Sequence, residues 1–565
     1  MQAVKAGTYS KEIREVSGNV SESSKNTLFE GSAAIIFESE GEAFYNKVQV
    51  FNRDLSVLVI SLFQEQRRLE LLQQSQQKAG KKSWRQLTPT VDHWGTCSLN
   101  DLDSNCCEML DTSVKPLRVL EALSATGLRS IRYIKEIPGE KYVVINDIDA
   151  AAVRAIERNL RHNNIGKGLY RVSQEDAAKL MFENRTEEKR FDVIDLDPYG
   201  SPSVFIDAAI QSITNGGLLA ITCTDLSVLC GSHKDSCYSK YGSVPLKAPY
   251  CHEMALRIVL ADLNRQAARY KRYIVPLYCV RVDFYVRLFV RVYESARECR
   301  LSSCKLSNVY QCSQCDSFSL QPLGQINKKN QHSMPARGPC IGPICEYCGG
   351  KHSIGGPIWN RPMLNRAFGK AILHCLSEVD KKIKYTPEVK SDKSVEKSKT
   401  ETFLSFLTTG RRIKAEIIKA LGEVENTPLF WSLSSICKTL RCIAPSLTKV
   451  QTALINAGYK VSQSATNPDS IKTDAPAEVM WDIFREWTIL SPVKRSKKLV
   501  NFPCAKILRM KTKTVVDFET GSSEVKANRK RERLGVTRYQ MNPEKFWGPK
   551  SRATGSMREK KRQKF

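Results

Sequence analysis

The stretch Phe191-Asp192-Val193-Ile194-Asp195-Leu196-Asp197-Pro198-Tyr199-Gly200 holds the residues best suited to chemistry. An apolar run ends in a carboxylate, Asp197, followed by Pro198 and the ring of Tyr199. The carboxylate and the backbone C=O next to the proline can accept both N–H bonds of an exocyclic nucleobase amine, while the ring stacks on the base. The amine lone pair, normally delocalised into the base, is then aimed at an electrophile. Asp-Pro and Tyr-Gly are also ordinary turn signals. The surrounding elements have to decide between a turn and a site.

Those elements alternate. Apolar runs at Leu117–Leu123, Val143–Asn146, Phe191–Leu196 and Leu218–Thr222 are separated by helical patterns from Gly127, across Ala150–Asn163 and across Val204–Ile213. A helix at His252–Tyr270 and a hairpin of Tyr273–Val282 with Phe284–Tyr293 follow. Short apolar strands alternating with helices predict an α/β fold with a doubly wound sheet covered on both faces. Ligands of such sheets sit beyond the carboxyl ends of the strands. There the sequence places Ala122-Leu123-Ser124-Ala125-Thr126-Gly127, then Asn146-Asp147, then Asp176-Ala177 after a short strand at Tyr170–Val172. Small residues let a ligand approach a helix N-terminus, and an acid at the next strand end binds ribose hydroxyls. Each Asp alone would equally suit a helix cap. Three acidic strand ends followed by Asp-Pro-Tyr-Gly favour a nucleoside site.

The first turn has a single glycine, poor for cradling phosphates, which points to S-adenosyl-L-methionine rather than NAD or ATP. Methyl transfer is then an in-line displacement that relies on positioning and desolvation. Methylating carbon 5 of a pyrimidine would need a thiolate nucleophile. Cys223 ends a neighbouring strand, yet the Asp-Pro-Tyr-Gly loop carries no cysteine, so nitrogen methylation is the better reading.

A second constellation lies downstream. Cys312-x2-Cys315 and Cys345-x2-Cys348 are two knuckles whose four thiolates suit one closed, structural Zn2+ site. The intervening chain must bulge out around Gln325–Gly338, and Cys340 and His352 are spare ligands. The chain has 19 cysteines and an N-terminus without the apolar core of a secretory signal, which favours a reducing compartment. A formal charge of +28 over 565 residues favours a polyanionic partner, with nucleic acid ahead of an acidic membrane surface. No uninterrupted apolar run reaches spanning length, so no membrane association is expected.

Phe44-Tyr45-Asn46 with Asn52-Arg53-Asp54, Ala122–Arg132, Asn146-Asp147, Asp195–Ser201 and Cys251-His252-Glu253 together resemble the tRNA (guanine(26)-N2)-dimethyltransferase family. The resemblance runs from about residue 28 to about 505, with a later block at Phe546-Trp547-Gly548-Pro549. It implies a class I methyltransferase domain, S-adenosyl-L-methionine as donor, and the N2 amine of a tRNA guanosine as acceptor, methylated once or twice. On matching motifs, Arg53, Arg129, Asp147, Asp176 and Ala177 would contact the cofactor, and Asp197 with Pro198 and Tyr199 would be catalytic. Arg53 would hold the methionine carboxylate through a bidentate pair; otherwise it is a helix-surface ion pair. Lys47 departs from the proline that the family often has after Tyr-Asn, which concerns local loop geometry.

The expected organisation is a polar N-terminus (1–27), a methyltransferase domain (28–298), a zinc-knuckle region (299–360), a smaller, mostly helical tRNA-binding domain (361–505) and a basic tail (506–565). Residues 73–113 read as a loop-rich insertion, and 441–476 suit a winged-helix-like binder. Arg287 and Arg291 share a strand face and could reach phosphates, exposed strand arginines being the plainer expectation. The tail suits nuclear import, with a mitochondrial share left open, and no obligate protein partner can be inferred. The competing readings are an adenine-N6 methyltransferase of another nucleic acid and a catalytically silent tRNA-binding factor.

Overall fold

A hairpin of β1 (Thr27–Glu30) and β2 (Ala33–Ile36) leads into a long helix, α1 (Val50–Ala79), in a computed structural model of the chain. The structure describes residues 27–37, 45–79, 116–385, 406–491, 503–532 and 535–539. Phe44, most of the 73–113 segment and the Phe546-Trp547-Gly548-Pro549 block lie outside them. Within that segment α1 continues to Ala79, beyond the loop expected from residue 73. Gln and Lys are good helix formers, so a polar run need not break a helix.

The expected alternation of elements is present. It comprises β3 (Leu117–Glu121), α2 (Leu128–Glu136), β4 (Lys141–Asn146), α3 (Ala150–His162), β5 (Tyr170–Ser173), α4 (Ala177–Glu183) and β6 (Phe191–Leu196). Then come α5 (Ser203–Ser212), β7 (Ile213–Cys223), the short α6 (Leu226–Leu229), α7 (Lys234–Tyr241) and α8 (Cys251–Arg269). The hairpin β8 (Arg272–Val282) and β9 (Tyr285–Glu294) completes one seven-stranded sheet of order β5-β4-β3-β6-β7-β9-β8. Strands β3 to β7 pair in parallel, and β9 pairs antiparallel with both β7 and β8. The order reverses between β3 and β6, where Glu121 lies opposite Asp195. Such a switch point opens a crevice at the strand ends.

Both faces of the sheet are buried. Leu120, Ile194 and Leu219 pack toward α4, α5 and α8, while Val119, Val193 and Leu218 pack toward α1, α2 and α3. Side chains alternate across a strand, so residues burying both faces must be apolar at consecutive positions. That is why Val119-Leu120, Val193-Ile194 and Leu218-Leu219 stand as consecutive apolar pairs within these strands.

After α9 (Ala296–Arg300), strands β10 (Leu306–Cys312), β11 (Phe318–Pro322) and β14 (His352–Trp359) form a second sheet. A hairpin of β12 (Gly324–Ile326) and β13 (Ser333–Pro335) fills the expected bulge between the cysteine knuckles. Helices α10 (Arg366–Tyr385) and α11 (Gly410–Leu421) return to the catalytic unit. Phe368, Ile372, Leu376, Ile413 and Ile417 join the same core as Phe51, Leu55, Tyr278 and Tyr285.

The last unit has β15 (Trp431–Ser432), α12 (Leu433–Leu440), α13 (Leu447–Asn456) and a hairpin of β16 (Val461–Ser464) with β17 (Asn467–Thr473). It continues with α14 (Ala477–Leu490), α15 (Pro503–Arg509) and α16 (Ser522–Glu532). Two helices followed by a wing-like hairpin give the helix–strand order expected of a winged helix. The basic tail begins later than its composition suggests. Cys504, Ile507 and Phe518 are buried with Trp481 and Phe484, because a few apolar residues anchor an otherwise basic segment. Among the described residues, no helix is long and apolar enough to cross a membrane.

Candidate active site

Asp197 stands at the carboxyl end of β6, beside the switch point. Its loop is fastened to the end of β7: Gly200 N donates to Thr224 Oγ1 (2.7 Å), and Thr224 N donates to Gly200 O (2.9 Å). Gly200 sits at φ +86°, which a residue with a Cβ adopts only under strain. Ser201 Oγ hydrogen-bonds Tyr241 Oη (2.8 Å), which in turn donates to Asp225 (3.0 Å). So held, the loop presents the Tyr199 ring half-exposed, at 50% of its surface, while Pro198 is buried. An exposed ring beside a partly buried carboxylate fits a base that stacks and is gripped by its amine.

Beneath Asp197 lies a buried charge network. Arg129 Nη2 donates to Asp197 Oδ2, and Arg129 Nη1 donates to Ser56 Oγ (3.0 Å) and lies 3.5 Å from Asp195. Arg287 makes a two-pronged pair with Asp195 (2.9 and 2.7 Å) and reaches Thr222 Oγ1 (2.9 Å) and Ser56 Oγ (2.8 Å). Tyr133 Oη donates to Asp195 (2.5 Å). Burial alone would raise the Asp195 pKa, but the Arg287 and Arg129 guanidiniums hold it below the ordinary carboxylate range. Asp195 is therefore a fixed anion that orients two cations under the loop.

Glu121 behaves oppositely. Burial pushes its pKa up to about 8 against the pull of Arg129 and a hydrogen bond from Ser130. The folded chain thus holds a proton that the unfolded chain releases near the ordinary carboxyl value of 4.5. Stability contributed by that proton is full below about 4.5 and is lost as pH rises through about 8. Glu121→Gln should flatten the decline in thermal stability between pH 5.5 and 8. A decline unchanged by the substitution would identify another group.

The cofactor-side residues fall on neighbouring strand ends. Asp147 Oδ2 accepts from Ala125 N (2.8 Å) and Oδ1 from Asp149 N (3.0 Å). Each carboxylate oxygen retains a second lone pair, so ribose hydroxyls can still be accepted. Asp176 caps α4 by accepting from Lys179 N (2.9 Å), with Ala177 buried behind it. The turn from β3 into α2 is tight: Ala125 and Gly127 have φ of +49° and +75°, and Glu121 Oε2 accepts from Ser130 N (3.0 Å) in the first turn of α2. Asn146, which the sequence marked only as the strand end before Asp147, has a side-chain amide that joins three strand ends by donating to Ala122 O (3.1 Å) and Glu175 O (3.0 Å). These features fit S-adenosyl-L-methionine: acceptors for a nucleoside and small residues at the turn.

The arginines are placed differently from expectation. Arg53 is buried, its Nε and Nη2 on Glu30 (2.6 and 2.5 Å), with Tyr45 over the guanidinium. The bidentate partner of Arg53 is thus a carboxylate of the chain itself, inside the fold rather than on a helix surface. Arg129 touches the Asp-Pro-Tyr-Gly loop directly through Asp197, whereas Arg132 is caged by Glu30, Asp54 and Glu136 (2.8, 2.7 and 2.9 Å). Arg287 and Arg291 cannot reach phosphates. Both are buried, Arg287 on Asp195 and Arg291 on Glu70 (2.6 Å) and Gly216 O (2.9 Å), because α1 covers their strand face.

The cysteine knuckles converge. Cys312 and Cys348 Sγ are 3.3 Å apart, and Cys315 and Cys345 Sγ are 3.7 Å apart. Four sulfurs about 2.3 Å from zinc would form a tetrahedron with edges of about 3.8 Å. The spare ligands Cys340 and His352 are not part of this group. Gly349, at φ +81°, makes the turn, and Gly350 N donates to Cys348 Sγ (3.4 Å), as knuckle amides do toward a thiolate.

Comparison with known proteins agrees with this geometry. The family model of N2,N2-dimethylguanosine tRNA methyltransferases matches residues 24–485. The chain is 41% identical over 549 residues to tRNA (guanine(26)-N(2))-dimethyltransferase 2 of Arabidopsis thaliana, covering 93% of this chain and 88% of that one. It is 39% identical over 539 residues to the Drosophila melanogaster tRNA (guanine(26)-N(2))-dimethyltransferase, covering 94% and 87%. Among solved structures, Trm1 from Pyrococcus horikoshii in complex with S-adenosyl-L-methionine superposes with a TM-score of 0.55 at 26% identity, over 80% of this chain and 98% of that one. A match of this length, with the Asp-Pro-Tyr-Gly loop at the switch point of the sheet, places the chain in the N2,N2-dimethylguanosine tRNA methyltransferase family.

Proposed function

We propose that the protein transfers one or two methyl groups from S-adenosyl-L-methionine to the exocyclic N2 of guanosine 26 in tRNA, with Asp197, Pro198 and Tyr199 as the base-binding loop. The observation that carries this reading is the Asp197 carboxylate, clamped by Arg129 at the switch point beside an exposed Tyr199 ring. Asp197 and the backbone carbonyl next to Pro198 accept the amine N–H bonds and keep the nitrogen lone pair out of conjugation. Tyr199 stacks on the base and fixes its plane. S-adenosyl-L-methionine, when bound, supplies an electrophilic methyl group on a sulfonium. As the nitrogen attacks, its N–H becomes acidic and passes a proton to Asp197 or to water. Asp197 need not be a strong base for this step.

Asp147, Asp176 and Ala177 would hold the nucleoside half of the cofactor. Arg53 would hold its methionine carboxylate by sharing the guanidinium now given to Glu30, and Arg129 would contact the cofactor beside Asp197. Nucleoside mass spectrometry of unmodified tRNA incubated with protein and cofactor tests the reading. N2-methylated guanosine supports it; methyladenosine favours the adenine-N6 enzyme; no product, with tRNA bound, favours the silent binding factor.

We assign structural Zn2+ to Cys312, Cys315, Cys345 and Cys348. The knuckles lie against the last unit: Trp481 Nε1 donates to Ser317 Oγ (2.9 Å), and Tyr347 packs near Trp481. Stripping the metal with a chelator should therefore disturb Trp431 and Trp481 fluorescence and lower the melting temperature by several degrees or more. An unchanged melting curve after verified zinc loss would refute the structural role. The unit from β15 to α14 is the tRNA-binding domain in this reading, and the nucleus, with a mitochondrial share, is the proposed location.

A further inference from the structure

Among the described residues one other group of metal-binding side chains stands outside these two sites. Cys230 follows α6, and Cys251 and His252 open α8, which packs against it. Cys230 Sγ lies 3.4 Å from His252 Nδ1, and one ligand atom from each of the three residues lies within 4.8 Å of the others. A tetrahedron with metal–sulfur bonds of about 2.3 Å and metal–nitrogen bonds of about 2.0 Å has S···N edges of about 3.5 Å. The observed S···N separation matches that edge, as the sulfur separations of the four-cysteine site match theirs. Neither cysteine is in a disulfide, and all three residues are only partly buried, so an ion can enter.

We infer that Cys230, Cys251 and His252 form a second metal site, for Zn2+ or a similar thiophilic divalent ion, with water as the fourth ligand. Binding releases the two thiol protons to solvent, and two thiolates, a neutral imidazole and the dication then sum to zero charge. The surroundings favour that state. Arg281 acts electrostatically on all three groups and stabilises thiolates, while its own Nε is buried without a hydrogen-bond partner. Cys251 also lies in the first turn of a 19-residue helix, whose N-terminal dipole favours a thiolate.

The ion would pin α6 to α8. Asp225, the residue directly before α6, is tied through Tyr241 to Ser201, directly after the Asp-Pro-Tyr-Gly loop. The second site would therefore brace the Asp-Pro-Tyr-Gly loop from behind without touching the reacting base.

The test is metal content of the full-length chain, expressed with zinc and freed of loosely held ions. Two Zn2+ per chain are expected in the wild type and one in Cys230→Ser/Cys251→Ser. One Zn2+ per folded wild-type chain overturns the inference, as do two in both proteins. Should the double variant fail to fold, cobalt substitution of the wild type decides. A second equivalent of Co2+ should add about half the thiolate-to-cobalt absorption of the first, since two thiolates replace four. A second equivalent that adds none overturns the site.

Discussion

Asp197→Ala should lower kcat for N2 methylation by a factor on the order of 10²–10⁴, the range for removing a group that handles the proton of the reacting atom. The loss should fall on kcat more than on tRNA affinity, because the Tyr199 stacking surface and the basic exterior remain. Folding should survive, since Arg129 keeps Asp195, 3.5 Å away, as a second carboxylate. Asp197→Asn keeps an acceptor oxygen but loses the charge and the proton sink, and should fall between alanine and wild type. Steady-state kinetics on a guanosine-26 tRNA would measure this, with cofactor binding as the control for folding. Full activity in the alanine variant would remove Asp197 from the mechanism.

Glu253→Gln should cost about 3–5 kcal/mol of stability, the range for leaving a buried charge without its partner. Glu253 is fully buried in α8 and receives Lys472 Nζ (2.9 Å), Arg257 (3.0 and 2.9 Å), Leu429 N (2.8 Å) and Ser464 Oγ (3.3 Å). Two of these donors are cationic, and three come from the chain beyond α11. Burial works against the anion, but Lys472 and Arg257 bring its pKa down to about 2. Its contribution is therefore present above about 4.5 and is lost as pH falls through about 2. Glu253→Gln with Arg257→Met should recover part of the loss, because Lys472 keeps Glu423 as its partner (3.1 Å) and no buried cation is then left without one. Denaturant unfolding followed by Trp431 and Trp481 fluorescence would read both variants. A cost near zero for Glu253→Gln would mean that solvent reaches the site.

The alternating strands and helices of the sheet were legible because parallel strands buried on both faces carry apolar residues at consecutive positions. Asp197 was legible because its neighbours along the chain, Pro198 and Tyr199, carry the chemistry with it. The arginines were not. Spacing by two put Arg287 and Arg291 on one strand face, but only the packing of α1, more than 200 positions earlier, turns that face inward. Arg129 was assigned to the cofactor from its motif, and its contact with Asp197 depends on the pairing of β3 with β6. Glu253 and Cys230 carried no local signal of their roles, since their partners are distant in sequence or ordinary in type.

Residues of α10 and α11 complete the core beside Tyr278 and Tyr285, and Leu429 and Phe430 complete the other face. As the chain leaves the ribosome, β8 and β9 emerge 72 residues before α10 begins and 116 before α11, counted from Glu294 to Arg366 and to Gly410. During that interval the growing polypeptide exposes apolar surface that chaperones recognise. A premature stop anywhere between β9 and α11 would therefore yield no stand-alone catalyst, even with every catalytic residue translated. For this protein, losing the carboxyl half is a loss of solubility before it is a loss of tRNA recognition.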